Sequence, residues 1–408
     1  MYIFKAAVVG AGAMGAEIAQ VISFSGLPVV LKDIDQAMLD KGMARIRRIY
    51  ESRVEKGKMQ PSEAENKIAL VEPTLSYDSF GDVDIVIEAV PEKIAIKKAV
   101  FAELDNVCPE STIFASNTSA LSISELGAST RRPHKVIGMH FFNPAHVMKL
   151  VEVIPGLDTS QETVDDVVQF AESLRKIPVV VQECPGFLVN RLLMPYLNEA
   201  TIALGEGAAT ASEIDAAMVD FGMPMGPFTL MDMLGLDVCS DVGSYLYSEY
   251  GERMAPAPLF YKLIQAGRLG EKSGAGFYGY GDQTDEPVKQ MIAEISASLP
   301  PQQRGEFSVD RLIMPMINEA VLCLQEHIAS APDIDMAVVA GLGMTYHGER
   351  IGPLALADTL GLDTVLAKLE ELRARYGERF RPAWKLRTKV RAGHLGKKTG
   401  KGFHEYAV

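Results

Sequence analysis

The chain has 408 residues, more than one hydrophobic core normally serves, so two or three domains are expected. Hydrophobic residues make up 48% and charged residues 23%, the balance of an ordinary globular protein. No apolar run approaches the ~18 residues of a membrane span, and the first residues lead straight into a strand, leaving no room for a signal peptide. The net charge of −13 disfavours nucleic acid as a partner, and the scattered Cys108, Cys184, Cys239 and Cys323, with no CxxC spacing, argue against structural zinc and a disulfide framework. The expectation is a cytoplasmic protein that binds neither a metal, a membrane nor nucleic acid.

In chain order, a strand over Lys5–Val9 runs into Gly10-Ala11-Gly12-Ala13-Met14-Gly15, followed by a helical run, Ala16–Phe24, and a second strand, Pro28–Leu31. Asp33 stands 18 residues after Gly15. A GxGxxG alone is weak, but strand, turn, helix and trailing acid together form a dinucleotide-binding fingerprint. Gly10 makes the tight turn, Gly12 lets backbone approach a pyrophosphate, and Gly15 lets the helix pack on the strand. The helix N-terminus then faces the phosphates. Asp33 should accept from a ribose 2′-hydroxyl and repel a 2′-phosphate, which favours NAD over NADP; Lys32 beside it works against that preference.

Asp35–Met59 reads as one long basic helix, with Arg53, Lys56 and Lys58 near its end. It suits either a polyanionic ligand or a solvated face. Asp84–Val90 is a buried parallel-type strand, with Glu92 and Lys97 at the mouth of the next helix. Thr112–Ser116 is another strand ending in the Asn117-Thr118-Ser119 loop, and Ser122-Ile123-Ser124-Glu125 has the form of a capping box. Lys135–Phe142 is a strand that stops at Asn143-Pro144. Leu150–Ile154 is a short apolar run whose one carboxylate, Glu152, is costly to bury without a partner. His140, across the turn, is the nearest candidate. A carboxylate that orients an imidazole makes a general base; the alternative is a core histidine and a solvated glutamate. Glu92, Asn117, Ser119, His140 and Asn143 all sit at the carboxyl ends of strands, where doubly wound sheets bind ligands.

From Glu183 the pattern turns helical and repeats itself. Val189-Asn190-Arg191-Leu192-Leu193-Met194-Pro195 recurs as Val309-Asp310-Arg311-Leu312-Ile313-Met314-Pro315, at an offset of 120. Gly226-Pro227, Asp232 and Gly235-Leu236-Asp237 recur as Gly352-Pro353, Asp358 and Gly361-Leu362-Asp363, at an offset of 126. About six extra residues therefore fall around Tyr346–Ile351. A proline within the first helix of both copies suggests a shared kink. Gly270-Glu271-Lys272-Ser273 and Gly396-Lys397-Lys398-Thr399 do not meet the phosphate-loop pattern. The expected organisation is α/β: a Rossmann-type doubly wound domain over 1–183, then two tandem all-helical domains related by duplication, 184–281 and 306–408, with a linker over 282–305.

These stretches, together with Ser116-Asn117-Thr118-Ser119, His140-Phe141-Phe142-Asn143-Pro144, Leu150-Val151-Glu152-Val153 and Pro185-Gly186-Phe187-Leu188-Val189-Asn190-Arg191, resemble the L-3-hydroxyacyl-CoA dehydrogenase family over essentially the whole chain. The tandem helical part looks like the dehydrogenase portion of the multifunctional fatty-acid oxidation enzymes. The resemblance implies NAD-dependent oxidation of an L-3-hydroxyacyl-CoA thioester to the 3-ketoacyl-CoA. It implies that His140 is the base and Glu152 its partner, and that Ser119 and Asn190 hold the reacting oxygens. Gly10, Gly12, Ala13, Met14, Gly15, Asp33, Glu92, Lys97, Asn117, Ser119 and Asn143 would line the NAD site, and Arg53, Lys56 or Lys58 would contact CoA phosphates. Asp310 replaces Asn190 in the second copy, which implies a supporting role there. A monomer, with the two copies paired inside one chain, and association with an enoyl-CoA hydratase chain are further expectations. Two rival readings are the same fold acting on a free hydroxy or sugar acid, and a non-catalytic NAD-binding protein.

Overall fold

The computed structural model describes residues 2–300 and 305–407, so residues 301–304 of the expected linker lie outside the described residues. Two compact units divide the chain after Glu183.

In the first unit, short apolar segments with turn residues at each end become strands, and the helices between them cover the sheet. The strands are β1 (Ala6–Val9), β2 (Val29–Lys32), β3 (Val71–Thr74), β4 (Ile85–Glu88), β5 (Ile113–Ser116), β6 (Val136–Phe141), β7 (Leu150–Pro155) and β8 (Ile177–Val180). The helices are α1 (Ala13–Ser25), α2 (Gln36–Glu55), α3 (Pro61–Ile68), α4 (Ile94–Val107), α5 (Ile123–Gly127) and α6 (Gln161–Ser173). The sheet order is β3-β2-β1-β4-β5-β6-β7-β8. β1 to β6 are mutually parallel; β7 runs antiparallel to β6, and β8 parallel to β7. β1, β2, β4 and β5 are buried along their whole length, as strands covered on both faces must be.

The basic helix is shorter than its sequence pattern suggests. It ends at Glu55, because the chain turns through Gly57 at a φ of 65° and Pro61 opens α3. The capping box at Ser122 is half made: Ser122 accepts from the Glu125 N–H, while the Glu125 carboxylate pairs with Lys98 at 2.6 Å.

The second unit contains α7 (Val189–Gly205), α8 (Ala211–Phe221), α9 (Pro227–Leu234), α10 (Leu236–Tyr250), α11 (Pro258–Gln265), α12 (Glu286–Ser298), α13 (Val309–Gln325), α14 (Ala331–Leu342), α15 (Pro353–Leu360), α16 (Leu362–Tyr376) and α17 (Trp384–Arg391). α7 and α13 each continue through their proline. The extra residues of the second copy form a hairpin, β9 (Thr345–Tyr346) and β10 (Glu349–Arg350). It docks on the first copy, where Thr345 N–H donates to the Gly222 carbonyl at 2.9 Å. The linker segment is itself largely helical. Val288, Ile292 and Ile295 recur at helical spacing, Val288 is buried, and α12 lies along α7 and α11 with Lys262–Glu294 at 2.8 Å.

The repeated motifs explain one another. Asp232 accepts from the Phe277 and Tyr278 N–H groups at 2.8 and 3.0 Å, and a Cβ on Gly276 would stand 1.9 Å from its carboxylate. Asp358, Phe403, His404 and Gly402 repeat that arrangement. Lys272 and Lys398, in the two segments dismissed as phosphate loops, pair with Asp237 and Asp363.

Candidate active site

The carboxyl ends of β1, β2, β4, β5 and β6 lie along one edge of the sheet, and most of the expected site residues collect there. Gly10 turns at a φ of 105°, and a Cβ there would sit 2.6 Å from the Ala89 carbonyl oxygen. A Cβ at Gly15 would meet the Gly10 oxygen at 1.8 Å. Nothing lies within 4 Å of a Cβ built on Gly12, and no side chain caps α1. The helix N-terminus therefore presents its first N–H groups, beside Ala13 and Met14, across open space suited to a pyrophosphate. Asp33 accepts from Ala11 N–H and Ile34 N–H, both at 2.7 Å. Those bonds hold its half-exposed carboxylate beside the turn, where a ribose would reach it. Lys32 is turned away from this role: it is buried, with its Nζ 4.2 Å from the Tyr77 ring centre. These residues fit NAD.

At the end of β4, Glu88 is fully buried. It accepts from Lys97 Nζ at 2.8 Å, Ser116 Oγ at 2.7 Å and Val90 N–H at 2.7 Å. Lys97, expected to line the site, is enclosed and also reaches Glu92 at 3.1 Å. Its charge acts through Glu92, which further accepts from the Thr118 hydroxyl and from Ser119 N–H at 3.0 Å. Burial pushes the Glu92 carboxyl up, but Lys97 and these donors outweigh it and leave the group below the usual carboxylate range. Asn117 accepts from Phe141 N–H at 2.8 Å through its Oδ1, tying the loop after β5 to the end of β6.

His140 and Glu152 are register partners on β6 and β7. The side chains meet with Nδ1 to Oε2 at 2.7 Å; Glu152 is fully buried and His140 is 8% exposed. The Phe142 ring lies 4.6 Å from the imidazole, centre to centre. With Nδ1–H donated to Glu152, Nε2 is the basic nitrogen of the ring. Asn143 follows at an exposed position, joined to Pro144 by a cis peptide.

Two groups escaped the sequence reading. Glu17, inside α1 and fully buried, accepts from Arg45 at 2.6 Å and from Ala145 N–H at 2.6 Å, and stands 3.2 Å from His146 Nδ1. It ties the loop after His140 to the dinucleotide-type helix. Glu88 was missed although it ends an apolar strand as conspicuously as Glu152 interrupts one; the cost of a lone buried charge would have found both. Arg53, Lys56 and Lys58 are not gathered with the others. Arg53 lies over Phe24, 4.3 Å from the ring centre, and Phe24 stands about 18 Å along α1 from Gly12. Asn190 lies in the first turn of α7, in the second unit. Its counterpart Asp310 pairs with Lys368.

Comparison with known proteins follows the same division. The NAD-binding domain model of 3-hydroxyacyl-CoA dehydrogenases matches residues 5–184. The C-terminal domain model matches twice, over 186–280 and 307–406. The fatty acid oxidation complex subunit alpha of Psychrobacter arcticus is 39% identical over 403 residues, covering 95% of this chain and 55% of that protein. The chain thus spans about half the length of the curated relatives it matches. The crystal structure of 3-hydroxybutyryl-CoA dehydrogenase from Escherichia coli K12 superposes with a TM-score of 0.86 at 32% identity, covering 96% of this chain and 99% of that one. The (S)-3-hydroxybutyryl-CoA dehydrogenase of Ralstonia eutropha gives a TM-score of 0.67 at 41% identity, over 69% of this chain and all of that one. A glycine turn of dinucleotide-binding form with Asp33 beside it, a buried His–Glu pair across two antiparallel strands and a duplicated helical domain make one pattern with these matches: the chain belongs to the 3-hydroxyacyl-CoA dehydrogenase family.

Proposed function

We propose that the protein oxidises an L-3-hydroxyacyl-CoA to the 3-ketoacyl-CoA with NAD, reversibly. The observation that carries this reading is the 2.7 Å contact between His140 Nδ1 and Glu152. Gly10, Gly12, Ala13, Met14 and Gly15 hold the pyrophosphate, Asp33 the ribose, and Glu92, Asn117, Ser119 and Asn143 the nicotinamide side; Lys97 holds Glu92 in place. NAD, when bound, supplies the hydride acceptor for C3. His140 takes the proton of the 3-hydroxyl at Nε2, and Glu152 stabilises the imidazolium that results. Ser119 and Asn190 donate to the substrate oxygens as the alcohol becomes a carbonyl. Arg53 near the end of α2, with Lys56 and Lys58 in the turn after it, receives the CoA phosphates.

The names of the relatives, fatty acid oxidation complex subunit alpha among them, support a place in fatty-acid β-oxidation; a cytoplasmic location and an enoyl-CoA hydratase on another chain go with this reading as proposals. The experiment is NADH formation from NAD with L-3-hydroxybutyryl-CoA, alongside free 3-hydroxybutyrate and a sugar acid. Turnover of the thioester with little on the free acids is expected. Equal or greater turnover of a free acid would replace the thioester reading.

A further inference from the structure

The first helical copy contains a narrow apolar pocket between α7, α9, α10 and α11. Met194, Leu197, Thr201, Met231, Gly243 and Met254 contribute to its walls; the room inside for a water-sized body is about 30 Å³, and the 460 Å³ of empty volume around it takes in the open solvent at the mouth. Gly243 keeps it open. Glycine inside a helix is a standing cost relative to alanine, and at Gly15 and Gly42, in α1 and α2, a clash of the added Cβ with backbone explains the choice. Here the backbone is helical, and a Cβ would meet only Met194 Cε, at 3.3 Å. That atom is the movable end of a flexible side chain, so neither a turn nor close packing calls for glycine.

The duplication provides an internal control. α10 and α16 have the same length of 15 residues. At the position of Gly243 the second copy has Leu369, and at the position of Met254 it has Phe380, both fully buried. One copy fills the space and the other leaves it empty. The empty copy is also the one that carries Asn190; the filled copy has Asp310, tied to Lys368. On α7, Asn190 is followed on the same face by Met194, Leu197 and Thr201, at i+4, i+7 and i+11. Met194 and Thr201 stand about 6 and 16 Å along the axis from Asn190.

We propose that this pocket receives the alkyl tail of the acyl-CoA substrate, and that Gly243 and Met254 set the length of tail accepted. The proposal rests on the activity read above. Each methylene that leaves water for such a pocket gains about fourfold in affinity, so tails longer than that of a four-carbon acyl group are favoured until the pocket is full.

The test uses the full chain. Binding of decanoyl-CoA and butyryl-CoA is measured by calorimetry without cofactor, and kcat/KM with NAD for the 3-hydroxy derivatives of both. In the wild type the longer thioester should bind at least tenfold tighter and show a correspondingly higher kcat/KM. In Gly243→Leu, which installs the residue of the second copy, both ratios should fall by tenfold or more. Met254→Phe narrows the pocket without touching α10 and should lower them in the same direction, which covers the case of a Gly243→Leu chain that does not fold. Ratios unchanged in a folded variant, or ratios near one in a wild type that oxidises the four-carbon substrate, overturn the pocket proposal alone. A wild type that oxidises neither thioester overturns the activity reading, and the occupant of the pocket with it.

Discussion

Three carboxylates in the first unit, Glu17, Glu88 and Glu152, are fully buried, and each is held by groups that keep its charge from being stranded. Their partners differ in kind. Glu88 faces a lysine ammonium, and Glu17 a guanidinium together with the His146 imidazole. Glu152 faces the His140 imidazole at the carboxyl end of β6, and an imidazole is the partner suited to taking up and giving back a proton. His140→Ala should lower kcat by ~10²–10⁴-fold while the dissociation constant for NAD changes little. Glu152→Gln keeps the shape but removes the anion, and should fall in the same direction. Stopped-flow turnover beside a fluorescence titration with NADH separates the two quantities; near-normal turnover in the His140 variant would remove it from the mechanism.

At the scale of elements, the duplication shows how one scaffold tolerates different local chemistry. In the first copy Asp215 caps α9 through Phe228 and Thr229 N–H groups and accepts from the Tyr278 hydroxyl at 2.8 Å. In the second, Asp335 caps α15 in the same way, and His404 Nε2 takes the place of the tyrosine at 2.6 Å. The hydrogen bond to Asp335 raises the His404 pKa above its ordinary 6.5, against the opposing effect of burial. A raised folded value means that the contribution to stability is full below pH 6.5 and is lost as pH climbs through the folded value. His404→Phe should therefore destabilise most at acid pH and progressively less above neutrality, read as denaturation midpoints across a pH series. The same deficit at every pH would show that His404 serves only as packing.

At the scale of the whole helical unit, α7 and α13 cross with reciprocal ion pairs. Arg191 meets Glu319 at 2.7 Å and Glu326 at 2.8 Å; Arg311 meets Glu199 at 2.7 Å and Glu206 at 2.9 Å. Both arginines are fully buried and lie over Tyr250 and Tyr376. Arg253 and Arg379 join the same glutamates from the other side. This is the pattern of an isologous interface, in which residue i meets j and j meets i, built within one chain. Glu199→Gln takes the anion from Arg379 and leaves the buried Arg311 with Glu206 as its remaining carboxylate partner. It should cost about 3–5 kcal/mol in the unfolding transition of this unit, whereas replacing Glu199 and Arg311 together by apolar residues should cost less. A chain ending near Tyr280 exposes α7 and should dimerise or aggregate, while the full chain runs near the mass of a monomer in sedimentation. A soluble, active and strictly monomeric truncation would show that the second copy covers nothing the first needs covered.

Much of this was written in the order of residues. The glycine turn, its strand and helix, and Asp33 are local features whose backbone demands appear wherever the pattern occurs. His140 and Glu152 stand only 12 residues apart on neighbouring antiparallel strands, so the short turn between them all but dictates their meeting. The duplication was visible because the same residues recur at fixed offsets. Other features depend on partners far away in the chain. Lys97 is an internal ion because Glu88 and Glu92 enclose it, and the helix in the linker forms because α7 and α11 offer its apolar edge a place to pack. The Arg–Glu crossing joins residues more than a hundred positions apart, and Gly243 acquires meaning only when four helices surround it. Periodicity and turn chemistry report what a segment prefers; burial and charge pairing depend on what the folded chain brings against it, and tertiary structure decided those.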